Sequence, residues 1–366
     1  MKDSQFKVVI AGGGTGGHII PAIAVADEIV SRGGHVRFIG TKGRIEERLV
    51  PLAGYGIDFT KVKPLTGGGI GRKISGAASI PLSLARSRTL LKKLSPDFVL
   101  GVGGYVAGPV VMAARLMGIK TAFLEQNAII GLTNKLLKPF VQRAFVSYES
   151  SLQEFRGDVA IYTGNPVKKS ILEAAALKKE QAKDGHKKKK INILVMGGSQ
   201  GAGSIDEKVP KAIALAEVAK QVKVLHQGKE DNMEAVAAAY KEGKIDAVVT
   251  TFIDDTAKAF LNADFIIARS GATTVSELTV MGLPAIFLPY PWHKDNQQYK
   301  NAIPMMENGA AVVLDEKTTG IDELRDAISR FVNKNDVLEK AAAASANIGK
   351  PDAAKKIADE IIRLIG

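Results

Sequence analysis

The chain has 366 residues, 46% hydrophobic and 24% charged, a composition that provides for two globular domains, each with its own core. It contains no cysteine, which excludes a disulfide framework, thiolate metal sites and thiol catalysis and suits a reducing compartment. A formal net charge of +12 points to anionic partners; nucleic acid is set aside among them, because aromatics make up only 6% and no recognition motif interleaves them with basic residues.

The N-terminus carries an acidic residue and only a short apolar run, so it does not read as a signal peptide. No stretch approaches the ~20 apolar residues of a membrane span. Val8–Ala11 reads as a buried parallel strand. It turns through five glycines in six residues, broken only by Thr15, into a helix with an apolar pattern from Ile19 to Ile29. Such a junction offers the helix's first N–H groups to a phosphate, and His18 places an imidazole beside it. A tight turn without a ligand needs only one or two glycines.

Gly12-x-Gly14-x-x-Gly17 also fits the dinucleotide fingerprint. The second strand, His35–Ile39, ends in Gly40-Thr41-Lys42-Gly43-Arg44 with no acid for a ribose, which disfavours NAD. Lys42 and Arg44 keep open an NADP-dependent oxidoreductase.

Further strands are expected at Ile57–Val62, Phe98–Val102, Thr121–Leu124 and Ala144–Ser147. Helices are expected at Ile19–Ser31, Arg44–Leu52, Ile74–Leu94, Val106–Met117 and Leu132–Leu137. This alternation predicts an α/β fold with a doubly wound parallel sheet. The pattern breaks at Gly164-Asn165-Pro166, dissolves in a lysine-rich run before Ile191, and then restarts. The second set of strands is Ile191–Met196, Val222–His226, Ala247–Thr251, Phe265–Ala268, Ala285–Leu288 and Ala311–Leu314. Two Rossmann-like domains follow, residues 1–165 and 166–350, with a last helix near Asp352–Ile365 crossing back onto the first. Ligands of such sheets bind at the carboxyl ends of the strands, so two facing domains would enclose a cleft.

Three more stretches carry chemistry. Leu100–Pro109 is a second glycine-rich strand–helix junction, and two such junctions in one sheet would grip one pyrophosphate from two sides. Glu125-Gln126-Asn127 puts three polar side chains at the end of a buried strand. Arg269–Glu277 opens a helix after a buried strand, with Ser270 or Gly271 as its cap and Glu277 set to bond two adjacent ribose hydroxyls. Gly197-Gly198-Ser199-Gln200-Gly201 repeats the phosphate-type turn in the second domain. Asp254-Asp255 reads as a helix N-terminus rather than a metal pair.

GGGTGGH (Gly12–His18), GVGGYVAGP (Gly101–Pro109), EQN (Glu125–Asn127), GNPV (Gly164–Val167), GGSQGA (Gly197–Ala202), FIDD (Phe252–Asp255), RSGATTVSE (Arg269–Glu277) and HKDNQQYKNA (His293–Ala302) occur in this order over nearly the whole chain. In this they resemble the MurG family of bacterial N-acetylglucosaminyltransferases. The resemblance implies a GT-B fold and inverting, metal-free and cofactor-free transfer of N-acetylglucosamine from its UDP donor. The acceptor is the undecaprenyl-pyrophosphate-linked muramyl-pentapeptide of peptidoglycan synthesis. It places the uracil at the Ile253 main chain, the ribose at Glu277, and the donor diphosphate at Ser199 and the helix start Ala272, Thr273, Thr274, Val275 and Ser276. Gln297 and Gln298 fall at the sugar; Thr15, Gly16, Gly17 and Asn127 complete the donor site, with Lys168 near it. The acceptor pyrophosphate falls at Gly13, Gly14, Gly103 and Gly104, with His18, Tyr105 and Glu125 as the catalytic set, His18 or Glu125 being the base.

Lys168 stands where the family typically has Arg, which keeps the charge but loses the bidentate fork. Leu124 stands where it often has His. A nucleotide-sugar-binding subunit without chemistry of its own remains a second alternative. A lipid-linked acceptor implies peripheral docking on the cytoplasmic face of an anionic membrane. The face expected for this carries Ile70, Ile74, Ile80, Leu82 and Leu84 among Arg72, Lys73, Arg86 and Arg88, extended by Leu136, Leu137 and Phe140 with Lys135 and Lys138 beside them.

Overall fold

The structure, a computed structural model, describes residues 6–62, 80–183, 190–198, 201–292 and 295–366. The chain divides into two units, one of Met1–Lys168 with Pro351–Gly366 and one of Lys169–Lys350. In the first, β1 (Lys7–Ala11), β2 (His35–Gly40), β3 (Gly56–Phe59), β4 (Phe98–Gly101), β5 (Lys120–Glu125), β6 (Arg143–Val146) and β7 (Ala160–Tyr162) form one sheet. Its order is β3-β2-β1-β4-β5-β6-β7, and all its pairs are parallel. β1 therefore lies where the strand order reverses, the place at which open α/β sheets bind ligands. The short β7, half-buried throughout, goes beyond the strands expected from the sequence.

The helices are α1 (Gly16–Ser31), α2 (Ile45–Leu52), α3 (Ile80–Leu94), α4 (Gly104–Leu116) and α5 (Leu132–Leu137). β1 has no polar alternation because both its faces are covered. Val8 and Ile10 join Ile19 and Val25 of α1 in one apolar layer, while Val9 and Ala11 join Val106 and Val110 of α4 in the other.

The second unit repeats the plan with β8 (Ile191–Met196), β9 (Val222–Gln227), β10 (Asp246–Thr250), β11 (Phe265–Ala268), β12 (Ala285–Phe287) and β13 (Ala311–Val313). Their order is β10-β9-β8-β11-β12-β13, again with parallel pairs. Its helices are α6 (Lys169–Lys183), α7 (Gly203–Leu215), α8 (Met233–Glu242), α9 (Thr256–Asn262), α10 (Ala272–Met281), α11 (Gln297–Glu307), α12 (Ile321–Asn333) and α13 (Asn335–Ile348).

The last helix, α14 (Ala353–Ile365), returns to the first unit. Its Ile357, Ala358 and Ile361 are buried in the same layer as Val8 and Ile19. Glu360 accepts from Arg143 Nε at 2.6 Å, and Asp359 pairs with Arg32 of α1. Hydrogen bonding to Arg363 and Arg143 holds the Glu360 carboxyl below the usual range against the opposing effect of burial. Burial, not these partly exposed ion pairs, supplies most of the docking energy. Ile361→Ala should accordingly destabilise the first unit by about 2–5 kcal/mol, read as a lower urea midpoint. An unchanged midpoint would mean that α14 is not part of that core.

Candidate active site

Two glycine junctions meet at the carboxyl ends of β1 and β4. A Cβ on Gly12 would stand 2.4 Å from Val102 Cγ2, and one on Gly104 would stand 2.4 Å from the Gly13 carbonyl oxygen. Gly103 and Gly104 also take φ of +103° and +75°, where side chains are strained. The turns therefore touch backbone to backbone. This contact leaves no space for a side chain between Gly13 and Gly104.

The Gly14 N–H has a partner within the protein. It donates to Glu46 Oε2 at 2.9 Å, while Thr41 N–H and Oγ1 donate to Glu46 Oε1 at 3.1 and 2.8 Å. Glu46, from α2, is fully buried and fills the space above Gly13, whose Cβ would lie 2.1 Å from Oε1. No local signal marks this acid in the sequence, because its partner Gly14 is 32 residues away. The starts of α1 and α4 lie side by side at these junctions, and the first N–H groups of a helix have no acceptor within it. The N-cap residues Thr15 and Gly103 supply no side-chain cap to either helix.

His18 lies between these helix starts. Its Nδ1 is 3.1 Å from the Gly13 carbonyl oxygen and 3.3 Å from Thr15 Oγ1. A carbonyl only accepts, so Nδ1 carries the proton of the neutral ring and Nε2 keeps the lone pair. A Cβ on Gly103 would stand 2.9 Å from Nε2, so the missing side chain leaves that nitrogen uncovered. Gly16, Gly17 and half-exposed Tyr105 stand on the first turns of α1 and α4 around it.

Glu125 is enclosed by the loop that follows β5. It is 2% exposed and accepts from Asn127 N–H at 3.1 Å, Asn127 Nδ2 at 3.4 Å, Gly131 N–H at 2.8 Å and Asn134 Nδ2 at 2.9 Å. These bonds tie the carboxylate into the loop after β5, which it serves to shape. Neighbouring Gln126 donates to the Val102 carbonyl at 3.0 Å, tying that loop to the second glycine junction. Lys168, half-buried, is the last residue of this unit before the chain passes to the second.

In the second unit, α10 starts after β11 with Gly271 as an N-cap that gives no side-chain bond. The Thr273 hydroxyl in its first turn is buried and has no hydrogen-bond partner among the described residues. Ala272 and Val275 are buried, Thr274 is half-buried, and Ser276 Oγ donates back to the Ala272 carbonyl at 2.9 Å. Glu277 lies within the helix, almost fully buried. α11 is fastened beside it, since Ser270 Oγ donates to the Gln298 carbonyl at 2.8 Å and Tyr290 N–H donates to Gln298 Oε1 at 2.8 Å. That bond orients the amide, so that its NH2 is the end left for a ligand; Gln297 precedes it at the helix start.

Ile253, half-buried, follows edge strand β10 and is separated from β11 by β9 and β8 in the sheet order. Asp255 caps α9, accepting from Lys258 N–H at 2.9 Å, so it is a helix cap as read from the sequence. Ser199 lies outside the described residues.

Residues 8–146 match the glycosyltransferase family 28 N-terminal domain, and residues 192–357 match its C-terminal domain. The chain is 38% identical over 371 residues to a Trichlorobacter lovleyi protein, covering 97% of each. It is 40% identical over 361 residues to one from Geotalea uraniireducens, covering 98% of each. Both are named UDP-N-acetylglucosamine–N-acetylmuramyl-(pentapeptide) pyrophosphoryl-undecaprenol N-acetylglucosamine transferase. Among solved structures, Acinetobacter baumannii MurG superposes with a TM-score of 0.79 at 30% identity, over 98% of this chain and 99% of that one. A Neisseria meningitidis UDP-GlcNAc 2-epimerase, at 16% identity and a TM-score of 0.71, shares the fold.

Glu46→Gln tests the buried acid. It puts an NH2 group against the Gly14 and Thr41 donors and should cost about 1–3 kcal/mol of stability in chemical denaturation. Full retention of stability would show that the turn does not depend on that carboxylate.

Proposed function

The chain belongs to glycosyltransferase family 28, and from that membership we propose that it moves N-acetylglucosamine from UDP-N-acetylglucosamine to the undecaprenyl-pyrophosphate-linked muramyl-pentapeptide. The observation that carries this is full-length identity near 40% to proteins named for that transfer. The same membership removes the NADP-dependent oxidoreductase and the non-catalytic subunit. Lys42 lies 5.8 Å from the centre of the Phe59 ring.

His18 is the base in this reading. Its Nε2 takes the proton of the acceptor hydroxyl as that oxygen attacks the anomeric carbon and the bond to UDP breaks on the opposite face. The helix starts of α1 and α4 receive the acceptor's pyrophosphate, with Gly16, Gly17, Gly104 and Tyr105 around it. Glu125 acts through Asn127 and the loop it holds.

In the second unit, Glu277 takes the ribose hydroxyls, and the start of α10, with the unpartnered Thr273 hydroxyl, takes the donor diphosphate. Ile253 meets the uracil, and Gln298 offers its NH2 to the sugar. Fixed helix-end donors suit the negative charge that grows on departing UDP because they need no reorganisation.

A polyprenyl acceptor stays in the bilayer, so the enzyme has to dock on the cytoplasmic surface of the membrane. No helix among the described residues is long and apolar enough to cross it. Support for a docking face comes from exposed Leu82, Arg86 and Arg88 of α3, and from exposed Leu132, Lys135 and Leu136 of α5. Both helices pack on α4. Three residues leave the face: Leu137 is 1% exposed, Leu84 packs on the core, and Lys138 is bound to Glu154 at 3.0 Å. Phe140 is half-buried, while Ile70, Arg72, Lys73 and Ile74 lie outside the described residues.

UDP release with a lipid-linked muramyl acceptor tests the reaction, and no release by the isolated chain would refute it. In the same assay His18→Ala should cut turnover by roughly 100-fold or more with little change in donor affinity. A change confined to the donor KM would remove the base role. Glu277→Ala should weaken UDP binding by roughly tenfold or more in calorimetry, through loss of charged hydrogen bonds. Charge reversal at Arg86 and Arg88 should weaken binding to anionic vesicles at low salt; equal binding by both proteins would remove this face.

A further inference from the structure

A buried polar chain lies beneath the glycine turn of the second unit, and the transfer described above makes no use of it. Asp206, in the first turn of α7, accepts from Asn232 Nδ2 at 2.9 Å, from Lys229 N–H at 3.0 Å and from His226 Nε2 at 3.2 Å. On the other side of the ring, His226 Nδ1 is 2.9 Å from the Tyr240 hydroxyl. All three members of this chain are buried.

One proton arrangement satisfies them. An ionised carboxylate has no proton to give, so Nε2 donates to Asp206 and Nδ1 accepts from the Tyr240 O–H. Burial pushes the Asp206 carboxyl up, but the bonds from His226, Asn232 and Lys229 N–H outweigh it and hold the group below its usual value. Burial, helped by the Asp206 charge, raises the Tyr240 hydroxyl and keeps it protonated.

The product of this chain is a fixed Lys229 backbone, and the glycine turn rests on it. Gly201 takes φ of +70°, and a Cβ there would stand 2.9 Å from Lys229 Cβ and 3.2 Å from its Cα. The Gly201 N–H closes the turn on the Gly198 carbonyl at 3.0 Å. Lys229 Nζ pairs with Asp231 at 2.9 Å, with side chains 51% and 74% exposed. Such an exposed pair is weak and easily exchanged. Arg269, whose guanidinium bonds the first turn of α7, is by contrast committed to the Leu288 carbonyl, Ser204 Oγ and Glu316.

We propose that Lys229 is a further donor-binding residue whose ammonium leaves Asp231 for the diphosphate of the UDP donor, received beside Gly198 and Gly201. Asp206 and His226 are positioning residues that hold it there. The proposal rests on reading that turn as a donor-diphosphate site. The lysine adds a mobile charge to fixed backbone donors at the group that gains negative charge as UDP departs.

Calorimetric titration of the full chain with UDP and with uridine tests it. Lys229→Met should weaken UDP binding about tenfold to a hundredfold, leave uridine binding unchanged, and be largely rescued by Lys229→Arg. Asp231→Asn, which removes the competing carboxylate from the surface, should tighten UDP binding. A Lys229→Met, His226→Gln double variant should bind UDP no more weakly than Lys229→Met alone; a fully additive loss would remove His226 from the positioning role. Unchanged UDP affinity in Lys229→Met, or equal losses for UDP and uridine, would overturn the lysine assignment. Failure of the unmodified chain to bind UDP would overturn the donor reading instead.

Discussion

The Gly13 carbonyl fixes the catalytic face of the first unit. It accepts from His18 Nδ1, and it lies against Gly104 so closely that a Cβ there would stand 2.4 Å away. One oxygen thus sets the tautomer of the imidazole and the approach of β4's junction to that of β1. Side chains at Gly12, Gly103 or Gly104 would push the two strand ends apart, since each would meet backbone, a β-branched side chain or the His18 ring within 3 Å. The glycines serve close packing between turns first, and that packing is what presents the imidazole and two helix starts together.

Buried carboxylates complete this arrangement. Glu46, Glu125 and Asp206 each accept backbone N–H groups at the carboxyl edge of a sheet. A negative charge there would repel a phosphorylated ligand, and the protein donors around each carboxylate partly offset that charge. The helix starts that follow β1, β4 and β11 carry no side-chain cap, whereas α9, after edge strand β10, is capped by Asp255. Internal acids therefore shape the turns, while the uncapped helix ends keep their positive potential for substrate.

Much of this was legible in the sequence because the signals are local. Apolar runs bounded by glycine marked β8 and β11 to the residue, and a single residue separates the expected start of α2 from the observed one. α1 begins at Gly16 rather than Ile19, because the last glycines of the motif already lie in the helix. β7 escaped because three half-buried residues carry no periodicity. The site was legible as motifs but not as contacts. Nothing local in Glu125-Gln126-Asn127 announces that Gly131 and Asn134 turn back onto the carboxylate. The Asp206–His226 contact likewise spans 20 residues, and His226–Tyr240 spans 14.

The orientation of α3 shows where sequence pattern and burial part company. Its Ser83 and Ser87 face inward, with Ser87 Oγ donating to the Ser83 carbonyl at 2.8 Å, while Leu82 is 54% exposed. A leucine left in water forgoes about 1.5–3 kcal/mol of burial, and one such residue on a surface needs no explanation. α5 does the same, however, exposing Leu132 and Leu136 while Lys135 stands beside them. Leu82, Leu132 and Leu136, left outside beside arginine and lysine while Ser83, Ser87 and Asn134 are buried, suit the docking proposed above, in which apolar side chains enter a headgroup boundary and cations meet anionic lipid. That mismatch, and not amphipathicity along the helix, is the physical support for the docking face.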